Sequence, residues 1–152
     1  MQVLIAVNGV SDGCADPIAA VDSFPWPPGV AFSVLTVSEV LPPPAMVEAM
    51  AESADTTGLQ EGVDQRAGET AIMAAAQLKD HGWQAAGISR RGDPEKVIVE
   101  YAKESGADLI VVGSCEKSLL EKVIWGSVSN SVVKHAPCSV LVVKPGAHDL
   151  HP

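Results

Sequence analysis

The chain has 152 residues, which is enough for one ordinary domain and too few for two complete hydrophobic cores. Hydrophobic residues make up 47% of it and charged residues 19%, so wholesale disorder is excluded, and a net charge of -9 disfavours binding to nucleic-acid phosphates. No apolar run is long enough to span a bilayer and the first residues do not resemble a signal peptide, so we expect a cytoplasmic protein that does not bind membranes.

The first part of the chain predicts a strand, a short helix and a second strand. Residues 3–7 are a continuous apolar run with β-branched side chains, and Asn8-Gly9 follows it directly, as expected for a buried strand that ends in a loop. A helix is predicted over residues 14–24, where Pro25 stops it. The run VAFSVLTV at residues 30–37 predicts the second strand.

The middle of the chain is the least regular part of the sequence. Residues 42–68 begin with three prolines and continue as an acidic, alanine-rich stretch without a clean period, so we expect a variable excursion there. A helix should return from about Arg66 to His81 and end at Gly82. Residues 84–90 predict a weaker strand, because alanine and glycine have low strand propensity.

The last part of the chain has the clearest signals. Asp93 and Pro94 are typical of the N-cap and first position of a helix, and Gly106 is typical of its end. Apolar patterns then predict a strand at residues 109–112, a helix at residues 128–136 and a last strand at residues 140–143.

Strands that alternate with helices and are apolar throughout predict a parallel sheet covered on both faces. Five such strands give a doubly wound α/β fold in three layers. A single domain should span residues 1–146, with a flexible tail at residues 147–152. If the strand order is 3-2-1-4-5, a ligand crevice lies between the ends of the first and fourth strands, flanked by residues 8–13 and 113–127.

Two features beside this crevice could bind an anion or a nucleoside. Gly126 and Ser127 open a helix whose first backbone N–H groups are unpaired, and such a helix end attracts anions. Ser127 could equally be only an N-cap residue. Gly113 ends the fourth strand, where the absence of a side chain would admit a base or ribose or would simply permit a tight turn.

Three stretches of the sequence together resemble the universal stress protein family. They are VLIAVNG at residues 3–9, GDPEKVIVEYAKESGADLIVVGS at 92–114 and VVKHAPCSVLVV at 132–143. The resemblance covers nearly the whole chain except residues 42–68. It implies a flavodoxin-like α/β sandwich, a homodimer joined through the last strands, and a role in stress response or signalling with other signalling proteins as partners.

One branch of that family binds ATP through the motif G-x2-G-x9-G-[ST]. This sequence has the first glycine, Gly113, and the final pair, Gly126 and Ser127, at the matching separation, but Glu116 replaces the second glycine. The aspartate that usually ends the first strand in the family is Asn8 here. The resemblance also carries contacts, mostly through backbone atoms, to Ala6, Val37, Val112, Val128 and Ser129.

Two functions therefore stay open. The first is a dimeric signalling module with a degenerate adenine-nucleotide site and weak or no ATP binding, because Glu116 would bring a negative charge toward the phosphates at a cost of roughly a few kcal/mol. The alternative is a nucleotide-dependent switch that binds ATP with Mg²⁺ and hydrolyses it slowly at most. The sequence places no Ser-His-Asp or paired-carboxylate arrangement at the crevice, so catalysis is not otherwise predicted.

The cysteines are three in number and have no zinc or disulfide-framework spacing, so we expect reduced thiols and no metal site. Cys138 fits a small buried side chain. Cys14 and Cys115 belong to segments beside the same crevice, which leaves redox sensing as a minor hypothesis.

The last predicted strand would leave an apolar edge exposed if the protein were a monomer. We therefore expect a homodimer through this edge. The strand residues are Val140, Leu141, Val142 and Val143.

Overall fold

Strands and helices alternate along the chain in the computed structural model, which describes residues 1–8, 14–43, 45–46, 58–114 and 127–146. None of the helices in these ranges is long and apolar enough to cross a membrane. The elements are β1 (Gln2–Val7), α1 (Pro17–Asp22), β2 (Ala31–Ser38), α2 (Leu59–Asp80), β3 (Gln84–Arg91), α3 (Pro94–Ser105), β4 (Leu109–Gly113), α4 (Ser127–His135) and β5 (Ser139–Val143).

The five strands form one parallel sheet in the order β3-β2-β1-β4-β5, so the predicted doubly wound fold and its strand order are confirmed. The first strand is central: Ala6 lies opposite Leu35 of β2 on one side and Val112 of β4 on the other. The winding reverses between β1 and β4. Their carboxyl ends therefore bound the crevice at which such sheets bind ligands.

Hydrophobic cores cover both faces of the sheet. Val34 and Leu35 are adjacent in β2 and fully buried, and their side chains point to opposite faces. One core packs Val34 with residues of α1 and α2, and the other packs Leu35 with residues of α3 and α4. On the first face, the ring of Phe32 lies edge-on to Trp26 and Trp83, with centroids 5.5 and 5.8 Å apart.

Helix α1 begins at Pro17, so the prediction that it starts at residue 14 is wrong. Asp16 is the N-cap: its backbone is extended and its carboxylate accepts a hydrogen bond from the Ile18 N–H at 2.9 Å. With proline at the first helical position, this cap sets the start of the helix. Cys14 and Ala15 are therefore outside the helix.

Helix α2 is longer than predicted, because it begins at Leu59 rather than near Arg66. Its buried stripe consists mainly of alanines, Ala67, Ala71 and Ala75, so its apolar periodicity is weak in the sequence. Gly82, with φ of 90°, follows its end as predicted.

Helix α3 has the predicted ends. The Asp93 carboxylate accepts a hydrogen bond from the Glu95 N–H at 3.0 Å, and Gly106 adopts the left-handed conformation with φ of 64°. Both residues have local roles that depend on few tertiary contacts, which is why the sequence predicts them well.

Candidate functional site

The crevice between β1 and β4 begins where both strands end. Asn8 follows Val7 directly and is exposed, and Gly113 is the last residue of β4. Because Ala6 and Val112 are paired across the two strands, Asn8 and Gly113 lie at the same edge of the sheet. The structure thus brings these two candidate residues to the predicted crevice.

The first turn of α4 is attached to the end of β4. Ser127 is the exposed first residue of the helix, and Val128 is half-buried against the second core. Ser129 is buried, and its hydroxyl donates a hydrogen bond to the Gly113 carbonyl oxygen at 2.8 Å. This bond positions the positive end of the helix dipole beside the strand end.

Gly113 lies against the protein's own backbone. A Cβ atom there would be 2.7 Å from the Ala15 carbonyl oxygen, closer than real Cβ atoms approach. The Ala15 N–H also donates a hydrogen bond to the Ser114 carbonyl oxygen at 2.9 Å. The segment that follows β1 therefore crosses the end of β4, and this crossing requires a glycine at position 113 whether or not a ligand binds.

Ser114 joins the ends of the last two strands. It is buried, and both its N–H and its hydroxyl donate to the Val143 carbonyl oxygen, at 2.8 and 3.1 Å. Sequence reasoning did not single out Ser114 or Ala15. Ser114 could have been identified from the sequence, because it is a polar residue that directly follows a buried strand.

The remaining candidates can offer a ligand only backbone atoms. The side chains of Val37 and Val112 are buried in the second core, near the ends of β2 and β4. Thr36 precedes Val37 and lies opposite Val7. Its hydroxyl is buried and has no hydrogen-bond partner within the described part of the chain. Gly126 and Glu116 lie outside the described residues.

A second polar cluster lies at the ends of β2 and β3 and consists of Ser38, Gln60, Asp64 and Arg91. Asp64 accepts hydrogen bonds from Arg91, from the Ser38 hydroxyl at 2.6 Å and from the Gln60 amide at 3.0 Å. The bond from Arg91, with smaller contributions from the other two donors, lowers the pKa of Asp64 to about 2. The same pair raises the pKa of Arg91.

Gln60 links this cluster to the chain that leaves β2. Its amide nitrogen donates to the Glu39 carbonyl oxygen at 3.2 Å, and its amide oxygen accepts from the Leu41 N–H at 2.8 Å. The cluster therefore fastens the start of α2 to the end of β2. Its residues were not predicted, because no sequence motif joins four positions so far apart.

The two cysteines within the described residues, Cys14 and Cys138, differ in their redox state. Cys14 is disulfide-bonded, so the expectation of reduced thiols is wrong for this residue. The spacing of three cysteines does not show whether any one of them is paired, and that is why the bond was not expected. Cys138 is a free thiol, and burial, followed by the charge of Asp108, raises its pKa.

No group of three or more His, Cys, Asp and Glu side chains suited to a metal is found within the ranges that the structure describes. His135, three residues before Cys138, instead lies at the end of α4. Its Nδ1 is 2.9 Å from the Ser131 carbonyl oxygen of the preceding turn.

A five-stranded parallel sheet in this order, with helices on both faces and a crevice where the winding reverses, defines the flavodoxin-like class of α/β proteins. Within that class, the sequence model of the Universal stress protein family matches residues 19–144. The chain belongs to this family.

Individual relatives agree with this assignment. A universal stress protein of Methanocaldococcus jannaschii is 51% identical over 53 residues, which are 35% of this chain and 31% of that protein. The chain thus spans about a third of the length of the curated relatives it matches.

Solved structures match over greater lengths. A universal stress protein family member from Burkholderia pseudomallei has a TM-score of 0.66 at 20% identity and covers 94% of this chain and 95% of its own. A family protein from Arabidopsis thaliana, solved with AMP bound, has a TM-score of 0.58 at 21% identity and covers 99% of this chain and 95% of its own. At these identities the likeness shows the fold.

Proposed function

We propose that this chain is a dimeric universal stress protein-type module that acts in stress response or signalling in the cytoplasm, through contacts with other signalling proteins. Its crevice at the ends of β1 and β4 is a degenerate adenine-nucleotide site that binds ATP weakly or not at all. The family assignment and the crevice support a nucleotide site. The residue types at positions 8 and 116, asparagine and glutamate, support a low affinity for ATP.

The observation that carries the proposal is the way the protein's own backbone occupies the space beside Gly113. A Cβ atom on Gly113 would lie 2.7 Å from the Ala15 carbonyl oxygen, so the protein's own backbone already fills the space on that side of the glycine. The Ser129 hydroxyl donates its proton to the Gly113 carbonyl oxygen, so that proton does not serve a ligand. Two groups that could contact a nucleotide are therefore engaged within the chain.

Electrostatics favour the same conclusion. Asn8, exposed at the end of β1, offers an amide that can hydrogen-bond a base or ribose but does not attract Mg²⁺ as a carboxylate does. Glu116 stands where the ATP-binding motif has a glycine. Two negative charges about 4 Å apart repel by roughly a few kcal/mol near a protein surface, which corresponds to about two decades of affinity.

The alternative is a nucleotide-dependent switch that binds ATP with Mg²⁺ and hydrolyses it slowly at most. The ends of the motif support it, since Gly113 closes β4 and Ser127 opens α4. The first N–H groups of α4, which have no partner within the helix itself, suit a phosphate. The structure of the Arabidopsis relative with AMP bound adds support for nucleotide binding.

Isothermal titration of the reduced protein with ATP and MgCl₂, and separately with AMP, tests the site. We expect weak or undetectable binding by the unmodified chain and an affinity for ATP about 100-fold higher in Glu116→Gly. Glu116→Gln removes the charge and keeps the side chain, so it separates repulsion from steric exclusion. Asn8→Asp should strengthen binding only when Mg²⁺ is present.

Gln84→Glu is the control for a change of one charge, because Gln84 is exposed at the start of β3, at the opposite end of the sheet. It should leave the titrations unchanged. Tight ATP binding by the unmodified protein would favour the switch. Failure of Glu116→Gly and Glu116→Gln to bind either nucleotide would contradict a nucleotide site of any kind.

The dimer is proposed through β5, which is an edge strand. Val140, Leu141 and Val142 are only half-buried within one chain, so pairing of two edges would cover apolar surface. Leu141→Lys should shift sedimentation equilibrium toward the monomer, whereas Ile72→Lys, at a side chain that is 64% exposed on α2, should not. A monomer at micromolar concentration in the unmodified protein would contradict the dimer.

A further inference from the structure

We propose that the free edge of β3, together with the Ile72 side chain of α2, binds an extended, basic segment of a partner protein as an added strand of the sheet. β3 is the edge strand opposite β5. This surface serves the partner contacts of the proposed function, and its role in signalling rests on that function. It is separate from the crevice and from the β5 edge.

Alternate residues of β3 turn their backbone groups away from β2. The Gly92 N–H, just beyond the strand, donates to the Ser38 carbonyl oxygen of β2 at 2.9 Å. The N–H and C=O groups of one residue point to the same side of a strand, and the side alternates along it. The groups of Ala85, Gly87 and Ser89 therefore point outward, where no residue of the described ranges bonds them.

Nothing in the strand itself blocks this edge. Gly87 is exposed, and since it has no side chain this exposure belongs to its backbone. The pairing with β2 runs from Gln84 to Arg91 without a bulge. Residues 84–89, QAAGIS, include no charge and no proline. Charges, prolines and bulges keep edge strands from pairing, so this edge can accept another strand.

Ile72 supplies an apolar contact beside the edge. A Cβ atom on Gly87 would be 2.8 Å from the Ile72 nitrogen, so α2 crosses the strand there. Ala71 is buried, and successive helical residues are about 100° apart, which places Ile72 on one flank of α2 and Ala74 on the other. Ala74 packs against the first core, so Ile72, which is 64% exposed, lies on the flank at the free edge.

A second copy of the chain does not suit this edge. Pairing of two β3 edges, added to a dimer through β5, would join chains without closure into a continuous polymer. Each copy also carries a net charge of -9, and like charges repel. A segment of a different protein with the opposite charge meets neither obstacle.

The charge of the partner segment follows from that of the chain. At the end of β3, Arg90 lies 3.6 Å from a carboxylate oxygen of Glu104. Arg91 is bonded to Asp64. Both arginines are thus balanced by carboxylates of the same chain, and the net charge of -9 favours a basic segment. Apolar residues at alternate positions of that segment would place one of them against Ile72.

A peptide with the sequence of residues 31–38, AFSVLTVS, and two lysines at each end is the probe. This is the sequence of β2, which already pairs with β3 on its other side. We expect saturable binding of the labelled peptide in a fluorescence titration. In NMR hydrogen exchange, it should slow the outward amides of Ala85, Gly87 and Ser89 about tenfold. The Ile88 amide, which faces β2, should be slow with or without peptide.

A peptide with glutamates in place of the lysines should bind about tenfold more weakly at low salt. Failure of the lysine peptide to bind, or protection of other amides instead of the outward ones, would overturn the proposal. Tighter binding of the glutamate peptide would overturn the choice of a basic partner.

Two exposed apolar residues of α2 give a matched pair of variants. Ile72→Lys should weaken binding of the lysine peptide about tenfold. Met73→Lys adds the same charge at a side chain that is 70% exposed and turned away from the edge, so it should bind as the unmodified protein does. Ser89→Pro removes an outward N–H and leaves the bonds to β2, so it should also weaken binding. Equal affinities of Ile72→Lys and Met73→Lys would refute the surface, even if Ser89→Pro does not fold.

Sedimentation of the unmodified protein tests the competing occupant. Species larger than a dimer that disappear in Ser89→Pro would assign the edge to a second copy and overturn the proposal. The peptide measurements use neither ATP nor the dimer. Failure of the peptide to bind therefore leaves the nucleotide site and the β5 contact unaffected, and failure of the ATP titrations leaves this surface unaffected.

Discussion

Two polar clusters at the same edge of the sheet differ in how their groups are paired. At the ends of β2 and β3, the Asp64 carboxylate is bonded by the side chains of Arg91, Ser38 and Gln60. At the ends of β1 and β4, serine hydroxyls donate to backbone carbonyls, from Ser129 to Gly113 and from Ser114 to Val143.

This difference distinguishes polar groups that stabilise the fold from polar groups that can bind a ligand. In the cluster at β2 and β3, charges and amides bind one another and fasten α2 to the sheet. In the crevice the serines hold backbone segments together, and the exposed Asn8 and the start of α4 remain for a ligand. The first cluster should therefore affect stability alone, and the crevice should affect both stability and binding.

Two glycines, one in β3 and one in β4, provide a matched pair on the face of the sheet that α1 and α2 cover. A Cβ at Gly87 would be 2.6 Å from the Ala71 carbonyl oxygen and under 3.0 Å from two further backbone atoms, whereas one at Gly113 meets a single atom so closely. Gly87→Ala should lower the free energy of unfolding in urea by about 3 kcal/mol and Gly113→Ala by about 1 to 2 kcal/mol.

Gly62→Ala is the control for this pair, because Gly62 is in α2 and a Cβ there has no neighbour within 4 Å. It should stabilise the protein by about 0.5 to 1 kcal/mol. A neutral Gly113→Ala would show that the backbone crossing at Ala15 yields easily, and an effect as large as that of Gly87→Ala would show that it is rigid.

Ser129→Ala removes the hydroxyl that anchors α4 to β4. We expect a loss of about 1 kcal/mol in the free energy of unfolding, because the Gly113 carbonyl loses a buried donor. Ser131→Ala, two residues along the same helix and only half-buried, should be close to neutral in the same urea titration. A neutral Ser129→Ala would mean that packing alone positions the helix.

The smallest expected effect is the pH dependence that Asp64 contributes. Its pKa is 3.8 in an ordinary environment and about 2 in the folded protein, so the unfolded chain binds more protons between these values. The contribution is present above pH 4 and is lost as the pH falls toward 2. Because Asp64 is near the surface, salt should weaken it.

Asp64→Asn should therefore flatten the fall in stability between pH 4 and 2, measured by urea unfolding at low salt. Asp80→Asn, at an exposed position at the end of the same helix, should retain the slope of the unmodified protein. Identical slopes for Asp64→Asn and the unmodified protein would show that the Arg91 pair contributes nothing to folding.

The sequence predicted the fold well where local signals were strong. The continuous apolar strands and the caps at Asp93 and Gly106 required no knowledge of distant contacts. The strand order was an assumption from the class of fold, and the structure confirms it. It failed at α2, whose first turns are polar and whose buried side is mostly alanine. It also placed the start of α1 too early, because the capping role of Asp16 was overlooked.

At the crevice, the sequence identified Asn8, Gly113 and Ser127 but not the reason for Gly113. The crossing of Ala15 over β4 joins segments about 100 residues apart, and no local pattern signals such a contact. The Asp64 cluster was missed for the same reason. Such long-range backbone contacts distinguish a glycine required by the fold from one required by a ligand.

The most direct test of the central claim is titration of the reduced, unmodified protein with ATP and MgCl₂ beside Glu116→Gly. We expect little or no heat of binding for the unmodified chain and binding about 100-fold tighter for the variant. Tight binding by the unmodified chain, with no gain in Glu116→Gly, would contradict this claim.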